Sequence, residues 1–211
     1  MNAQDKPKVR DAEATRARIL AAAKTEFAMH GLGGARVDVI AEKSRANKRM
    51  IYHYFGSKED LFRIVVEAAY VDIRAAEQSL ELDHLPPREA LETLVRFTWD
   101  YYLDNPEFIT LVNSENLHKA RHLRQSEKVP EVSRRFVGMV QDILDRGVAS
   151  GDFRPGIDAV QLNITIAAIG YYYLTNQYTG AIVYNRDLMT PTALEARLAF
   201  NMDTILRLVA P

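Results

Sequence analysis

The nine residues Asn47-Lys48-Arg49-Met50-Ile51-Tyr52-His53-Tyr54-Phe55 constrain this chain more than any other stretch. They are basic at the front and aromatic at the back. A Ser44-Arg45-Ala46 break precedes them and a Gly56-Ser57-Lys58 break follows. Asn47 is a good N-cap, because its side-chain oxygen can accept from an N–H that the first helical turn leaves unpaired. Ile51 and Phe55 are four apart, so a helix puts both on one inward face. Lys48 and Arg49 are then left at the exposed front, with Tyr52, His53 and Tyr54 one turn later.

The flanking residues give this helix a scaffold. From Thr15 the residues Ile19, Leu20, Ala23, Phe27 and Ala28 fall at helical spacing, with Gly31 as the stop and Gly33-Gly34 continuing the loop. Val37, Ile40 and Ala41 form a second, short apolar face. Arg36 stands at its N-cap position and is a poor cap, offset in part by Asp38 in the first turn. Ser57-Lys58-Glu59-Asp60 resembles a capping box, with Asp60 in place of the usual Glu or Gln. It opens a long helix through Leu61, Phe62, Val65, Val66, Ala69, Ile73 and Ala76 that ends before Pro86-Pro87.

The rest of the chain reads as helix too. Pro87 suits the first helical position of a segment reaching Leu103, and Asn105-Pro106 breaks it. Helix is expected over 107–124 and again from Pro130 to Ala149. Residues 150–156, Ser-Gly-Asp-Phe-Arg-Pro-Gly, are the clearest turn. Residues 158–177 are long and apolar, and Thr190-Pro191 opens a last helix with Leu194, Leu198, Met202, Ile205 and Val209 at heptad-like spacing. The sum is an all-α chain of about nine helices with no convincing strand. Residues 1–12 read as a flexible polar lead, 13–60 as a small head and 61–211 as a larger helical domain.

Composition narrows the class. With 211 residues, 47% of them hydrophobic, the chain can bury a real core. The absence of cysteine excludes disulfides and thiolate metal sites and fits a reducing compartment. No apolar run approaches the roughly 18 residues that span a bilayer, and the polar N-terminus lacks a signal-peptide core; a cytoplasmic location is expected. The net charge of −1 hides an asymmetry. Residues 1–62 carry 12 Lys/Arg against 8 Asp/Glu, whereas 63–211 carry 15 against 20. A basic front on an acidic body points to a polyanion met by the front alone.

Three short helices with a three-residue turn before the third form the helix-turn-helix layout, in which the last helix enters the DNA major groove. Donors at its front reach base edges and its flanks grip phosphate. Lys48 and Arg49 are placed as readers. Tyr52 and His53 are placed for phosphate or sugar, and Lys58, in the first turn of the next helix, is placed as a phosphate clamp.

The run from Ile40-Ala41 through Tyr52-His53-Tyr54-Phe55 to Ser57-Lys58-Glu59 resembles the DNA-binding signature of the TetR family of bacterial transcriptional regulators, and the helix from Arg16 to Gly31 resembles the family's first helix. Together they cover about residues 13–66. Arg45 replaces the usual turn glycine, and Arg36 stands where Ser or Thr usually caps. The resemblance implies a ligand-responsive, all-helical homodimer with N-terminal DNA-binding heads and a C-terminal ligand and dimerisation domain, most often a repressor. Carried over by position, it adds Arg36 to Lys48, Arg49, Tyr52, His53 and Lys58 as expected DNA contacts. An activator, or a helical ligand-binding or interaction protein with a degenerate head, are the rival expectations.

The second half is read from its residues alone. Its last two long helices are apolar beyond the needs of one core face, so a second copy is expected to cover them. Ile164, Ala168, Tyr171, Leu194, Leu198, Met202 and Ile205 are the expected dimer residues. A ligand pocket needs apolar walls with a few polar anchors, and Trp99, Tyr102, Phe108, Asn113, Asn116, Tyr172 and Asn176 are candidates. Glu115, His118 and His122, at i, i+3 and i+7, would share one face of a continuous helix, a spacing open to a metal. A solvated face is the preferred reading, and no metal or cofactor is expected. No phosphate loop, cysteine nucleophile or serine-hydrolase element is present, so no catalytic residue is expected.

Overall fold

The structure, a computed structural model, describes residues 6–211, with side chains from residue 11. Its elements are α1 (Lys6–Gly34), α2 (Val37–Ser44), α3 (Lys48–Phe55), α4 (Lys58–Gln78), α5 (Pro87–Asp104), α6 (Pro106–Leu117), α7 (Lys128–Ser150), α8 (Ala159–Thr175), α9 (Gln177–Val183) and α10 (Pro191–Val209). Two single 3-10 turns, Leu82–His84 and Leu123–Gln125, complete the order, and no strand occurs among the described residues. Helix already includes residues 6–12 of the lead expected to be flexible, while its residues 1–5 lie outside the described residues.

The chain divides into two compact units, one of residues up to 70 with 107–127, the other of 71–106 with 128–211. The first unit is built on α1. Ile19, Ala23 and Phe27 are fully buried, as are Ile40 of α2 and Leu61 and Phe62 of α4. The Phe27 and Phe62 rings meet edge to face at 5.1 Å. Helical turns resume after Gly31, whose φ of 62° and ψ of 177° kink α1 where the sequence places its stop.

Residues 107–127 belong to this first unit, not to the larger domain expected from residue 61 onward. The helix expected over 107–124 ends at Leu117, because Lys119 and Ala120 adopt left-handed backbone with φ of 57° and 55°. That break turns His122 back onto α4, where its ring stacks edge-on against Phe62 at 5.2 Å. Ser126 Oγ donates to Glu67 at 2.6 Å on the same helix.

In the second unit α5 lies against α7, α8 and α10. Leu91 and Leu94 of α5, Ile143 of α7, Leu162 of α8 and Ile205 of α10 are buried together. Long polar side chains tie the loops down. Arg146 donates to the carbonyls of Leu85 (2.7 Å) and Leu82 (3.0 Å), and Arg154 Nε donates to Leu208 O at 2.9 Å. The expected caps are present: Asp158 accepts from Gln161 N at 2.8 Å, and Thr190 from Ala193 N at 3.2 Å. The α9 helix was not legible in the sequence, since it follows α8 after one residue and has no side-chain bond at its N-cap.

Candidate nucleic-acid interface

The turn into α3 rests on an arginine in an uncommon conformation. Arg45 is left-handed (φ 53°, ψ 37°), and its N–H reaches back to Glu42 O at 3.1 Å. Glycine adopts this region freely, whereas a residue with a Cβ is strained there by roughly 1 kcal/mol. That is the physical sense of a glycine at this point of such a turn. Beneath it, Ser44 Oγ donates to Ile40 O at 2.7 Å, and Arg18 Nε donates to Ser44 O at 3.2 Å. Asn47 then caps α3, its Oδ1 accepting from Met50 N at 2.8 Å.

Helix α3 is pinned by Ile51 and Phe55, 1% and 4% exposed. The Arg16 guanidinium lies 5.3 Å from the Phe55 ring centroid. Lys48, Arg49, Tyr52 and His53 are all exposed, so the inward and outward sets fall as the spacing predicts. The capping box that starts α4 is formed as well: Asp60 N donates to Ser57 Oγ at 3.0 Å, and Ser57 N donates to Asp60 Oδ2 at 3.2 Å. The Ser57 hydroxyl bond holds the Asp60 carboxyl below the usual carboxylate range. Lys58 is half-buried in that first turn.

Two carboxylates shape this surface, and neither role is visible in the linear sequence. Glu26 of α1 is buried, 2% exposed, and accepts the Arg36 N–H at 3.1 Å. It caps α2 from outside the helix, which is why a side chain as poor at capping as Arg36 is tolerated. Lys43 Nζ stands 3.4 Å from Glu26 and offsets its charge. Asp38 is exposed, pairs with Lys48 Nζ, and lies 3.8 Å from the Arg36 guanidinium. The hydrogen bond from Lys48 keeps the Asp38 carboxyl below its ordinary range. In the free protein two of the expected DNA cations therefore share one carboxylate.

The seven candidate ligand residues divide between the units. Phe108, Asn113 and Asn116 belong to the first; Trp99, Tyr102, Tyr172 and Asn176 to the second. Trp99 and Tyr102 are buried, and their rings meet Tyr173 at 5.7 Å and Tyr171 at 6.1 Å. Asn116 and Asn176 donate to carbonyls four residues back, and Tyr172 and Asn176 line a cleft at the end of α8.

The expected dimer residues also separate. Ile164 is 52% exposed and Ala168 is exposed, while Tyr171, Leu194, Leu198 and Met202 are half-buried. Ile205 is a correction: it is fully buried in the core of its own unit, because α10 turns that position toward α5. Phe200, 63% exposed, was not among the expected residues.

Glu115, His118 and His122 do not share a helical face, since α6 ends between them. Glu115 is buried rather than solvated. It accepts from His122 N at 2.8 Å and Leu123 N at 2.9 Å, and its other oxygen lies 2.7 Å from His122 Nδ1. This carboxylate closes the loop after α6, and among the described residues no group of acids and histidines is arranged to hold a metal ion.

A basic, aromatic-backed helix fixed by a tight turn on a three-helix head is the geometry of a helix-turn-helix DNA-binding regulator. Two family models match the chain: "Bacterial regulatory proteins, tetR family" over residues 19–65, and "Tetracyclin repressor-like, C-terminal domain" over 87–205. The chain is 39% identical over 200 residues to the HTH-type transcriptional repressor NicS of Pseudomonas putida, covering 95% of this chain and 94% of that one. It is 36% identical to the HTH-type transcriptional repressor SCO4008 of Streptomyces coelicolor, over 75% and 79% of the two chains. Among solved structures, the putative transcriptional regulator SCO4942 of Streptomyces coelicolor superposes with a TM-score of 0.69 at 27% identity, over 93% and 99%. The chain belongs to the TetR family of bacterial transcriptional regulators.

Proposed function

We propose that this regulator is a repressor that binds a palindromic operator as a homodimer in the cytoplasm and is released by a small-molecule effector. The observation that carries the DNA half is the α3 surface, with Lys48, Arg49, Tyr52 and His53 outward and Ile51 and Phe55 inward. Lys48 and Arg49 donate to base edges, Tyr52 and His53 hold the backbone, and Lys58 and Arg36 grip phosphates on either side. Residues 13–60 serve as the DNA-binding domain. The larger domain takes the effector and supplies the dimer face, supported by exposed Ile164 on α8 and Phe200 on α10. A dimer sets two α3 helices one helical turn of DNA apart, about 34 Å, or a multiple of it.

The effector acts by binding one of two arrangements better than the other. Helix α6 and the loop after it are placed to carry such a change within the first unit, since His122 and Ser126 rest on Phe62 and Glu67 of α4. The test is a fluorescence-anisotropy titration with the gene's own upstream region. Expected is a preference of about 10³ or more over random duplex, with affinity falling steeply as salt rises. Equal affinity for both duplexes at every salt concentration overturns the reading.

A further inference from the structure

The second unit contains a cleft that its own fold leaves electrostatically incomplete. It lies between the end of α8, α9, the loop after α9 and the start of α10, with a volume of about 440 Å³. Its walls include Tyr173, Tyr184 and Leu188, and two arginines, Arg186 and Arg197, line it. Both stand out against their background, because residues 159–185 contain no Asp, Glu, Lys, Arg or His.

Arg197 is the informative one. Its guanidinium sits 5.2 Å from the Tyr173 ring centroid and 5.6 Å from that of Phe200. Nη2 donates to Ile169 O at 2.9 Å, which is a neutral acceptor. Its Nε is buried and has no acceptor. Among the described residues no ion pair is formed by Arg197 or Arg186. A guanidinium carries five donors in a planar fork, and a cation taken out of water without an anion is costly. Every other arginine of this unit with a comparably placed head has a use for it: Arg74 pairs with Glu77 at 2.7 Å, and Arg146 with Asp142 at 2.8 Å.

Gly180 lets α9 pack closely on Leu188, a wall of the cleft. A Cβ there would stand 2.8 Å from Leu188 Cδ1 and 3.7 Å from the Tyr184 ring. The Tyr173 hydroxyl is already spent on Leu188 O at 2.8 Å, so it adds no free donor. One half-buried cation between apolar and aromatic walls matches a single negative charge on a flat apolar body. A phosphate dianion would keep oxygens without donors in such a site.

The geometry points to an anion site for a small organic carboxylate of planar, apolar body, its carboxylate paired with Arg197 and flanked by Arg186. It rests on the repressor reading above only in making that carboxylate the class of effector. A second copy pressed on this face brings no carboxylate from its residues 159–185, and the exposed Glu195 and Asp203 of its α10 are the competing source of charge that the oligomeric-state arm below separates from a small molecule.

The single tryptophan, Trp99, reports on the cleft, because its ring meets Tyr173 at 5.7 Å. The probe is benzoate at constant ionic strength, with benzamide and inorganic phosphate as controls, titrated into the full-length protein. A saturable Trp99 fluorescence change is expected in about the millimolar range of a fragment-sized ligand. Binding of benzamide should be at least about tenfold weaker, the size of one charge-assisted hydrogen bond. Arg197→Gln should lose benzoate binding by at least the same factor, with Arg197→Lys intermediate and far-UV circular dichroism unchanged. Gly180→Ala, which displaces the Leu188 wall of the cleft and leaves both arginines, should weaken benzoate as well. Equal binding of benzoate and benzamide overturns the site, as does full benzoate affinity in Arg197→Gln. Tighter binding of phosphate than of benzoate overturns the carboxylate assignment. Dissociation of a dimer by Arg197→Gln with no benzoate response in the parent shows that a partner subunit supplies the charge, and also overturns it. Anisotropy on the upstream duplex without benzoate is read separately. Loss of DNA preference there with benzoate binding intact defeats the repressor reading and leaves the anion site standing.

Discussion

Helix α3 and the α8–α10 face both expose aromatic side chains, and their surroundings give those rings opposite uses. On α3, Tyr52 at 47% exposure shares its surface with Lys48, Arg49 and His53 and with no acid of its own helix. On the other face, Tyr172 and Tyr178, each 60% or more exposed, belong with Ile164, Ile182 and Val183 to a stretch, residues 159–185, that holds no charged residue. Aromatic rings beside exposed cations suit a hydrated polyanion, where binding is driven by counterion release. Aromatic rings beside aliphatic ones suit a dry protein surface. Exposure of an aromatic alone therefore names no partner; the charges within one turn of it do.

The sharpest way to break this comparison is to unpin α3. Phe55→Ala empties a buried ring site and should cost about 3–5 kcal/mol. Chemical denaturation should show that loss, and DNA binding should vanish with it. Unchanged stability would mean that Phe55 does not fix the reading helix. On the other face, Ile164→Glu changes an exposed residue, so the fold should survive. Light scattering should report a monomer, and operator affinity should fall by about a hundredfold once the two heads bind independently. A dimer that persists would move the interface away from α8.

Smaller effects separate the residues of the head from one another. Arg49→Ala should relax preference at one base-pair position by about 1–3 kcal/mol, whereas Lys58→Ala should weaken all duplexes alike and lower the salt slope by about 1. A competition series against single-base operator variants distinguishes the two. The smallest effect is expected from Asp38→Asn. It frees Lys48 and Arg36 from a competing carboxylate, so affinity for random duplex should rise a few-fold and the margin over it should shrink. No change in random-duplex affinity would show that DNA displaces Asp38 without penalty.

The head was largely legible because its signals are local. An N-cap at Asn47, a capping box at Ser57 and Asp60, and inward residues four apart lie within one or two turns of what they control. Arg45 shows the limit of that kind of reading. Its place in the turn was plain, but its left-handed backbone belongs to the folded chain. Glu26 caps a helix whose N-cap residue, Arg36, lies ten residues later, and no local pattern announces a cap delivered from another element. The same reason hid the fate of residues 118–126. The i, i+3, i+7 spacing of Glu115, His118 and His122 promised a shared face, and two left-handed residues removed it.

By itself the sequence determined that the chain is helical, where most helices start and stop, that it carries a TetR-type head, and which side of α3 faces out. Those properties are set by neighbours in sequence, through hydrogen bonds and apolar periods spanning a few residues. Only the tertiary structure decided that Ile205 is core while Ile164 is surface, that Asp38 holds Lys48, and that Arg197 has no anion. Each of these depends on what another element brings to the same point in space. A residue's spacing along its own helix does not record whether that element arrives with a ring, a carboxylate or nothing.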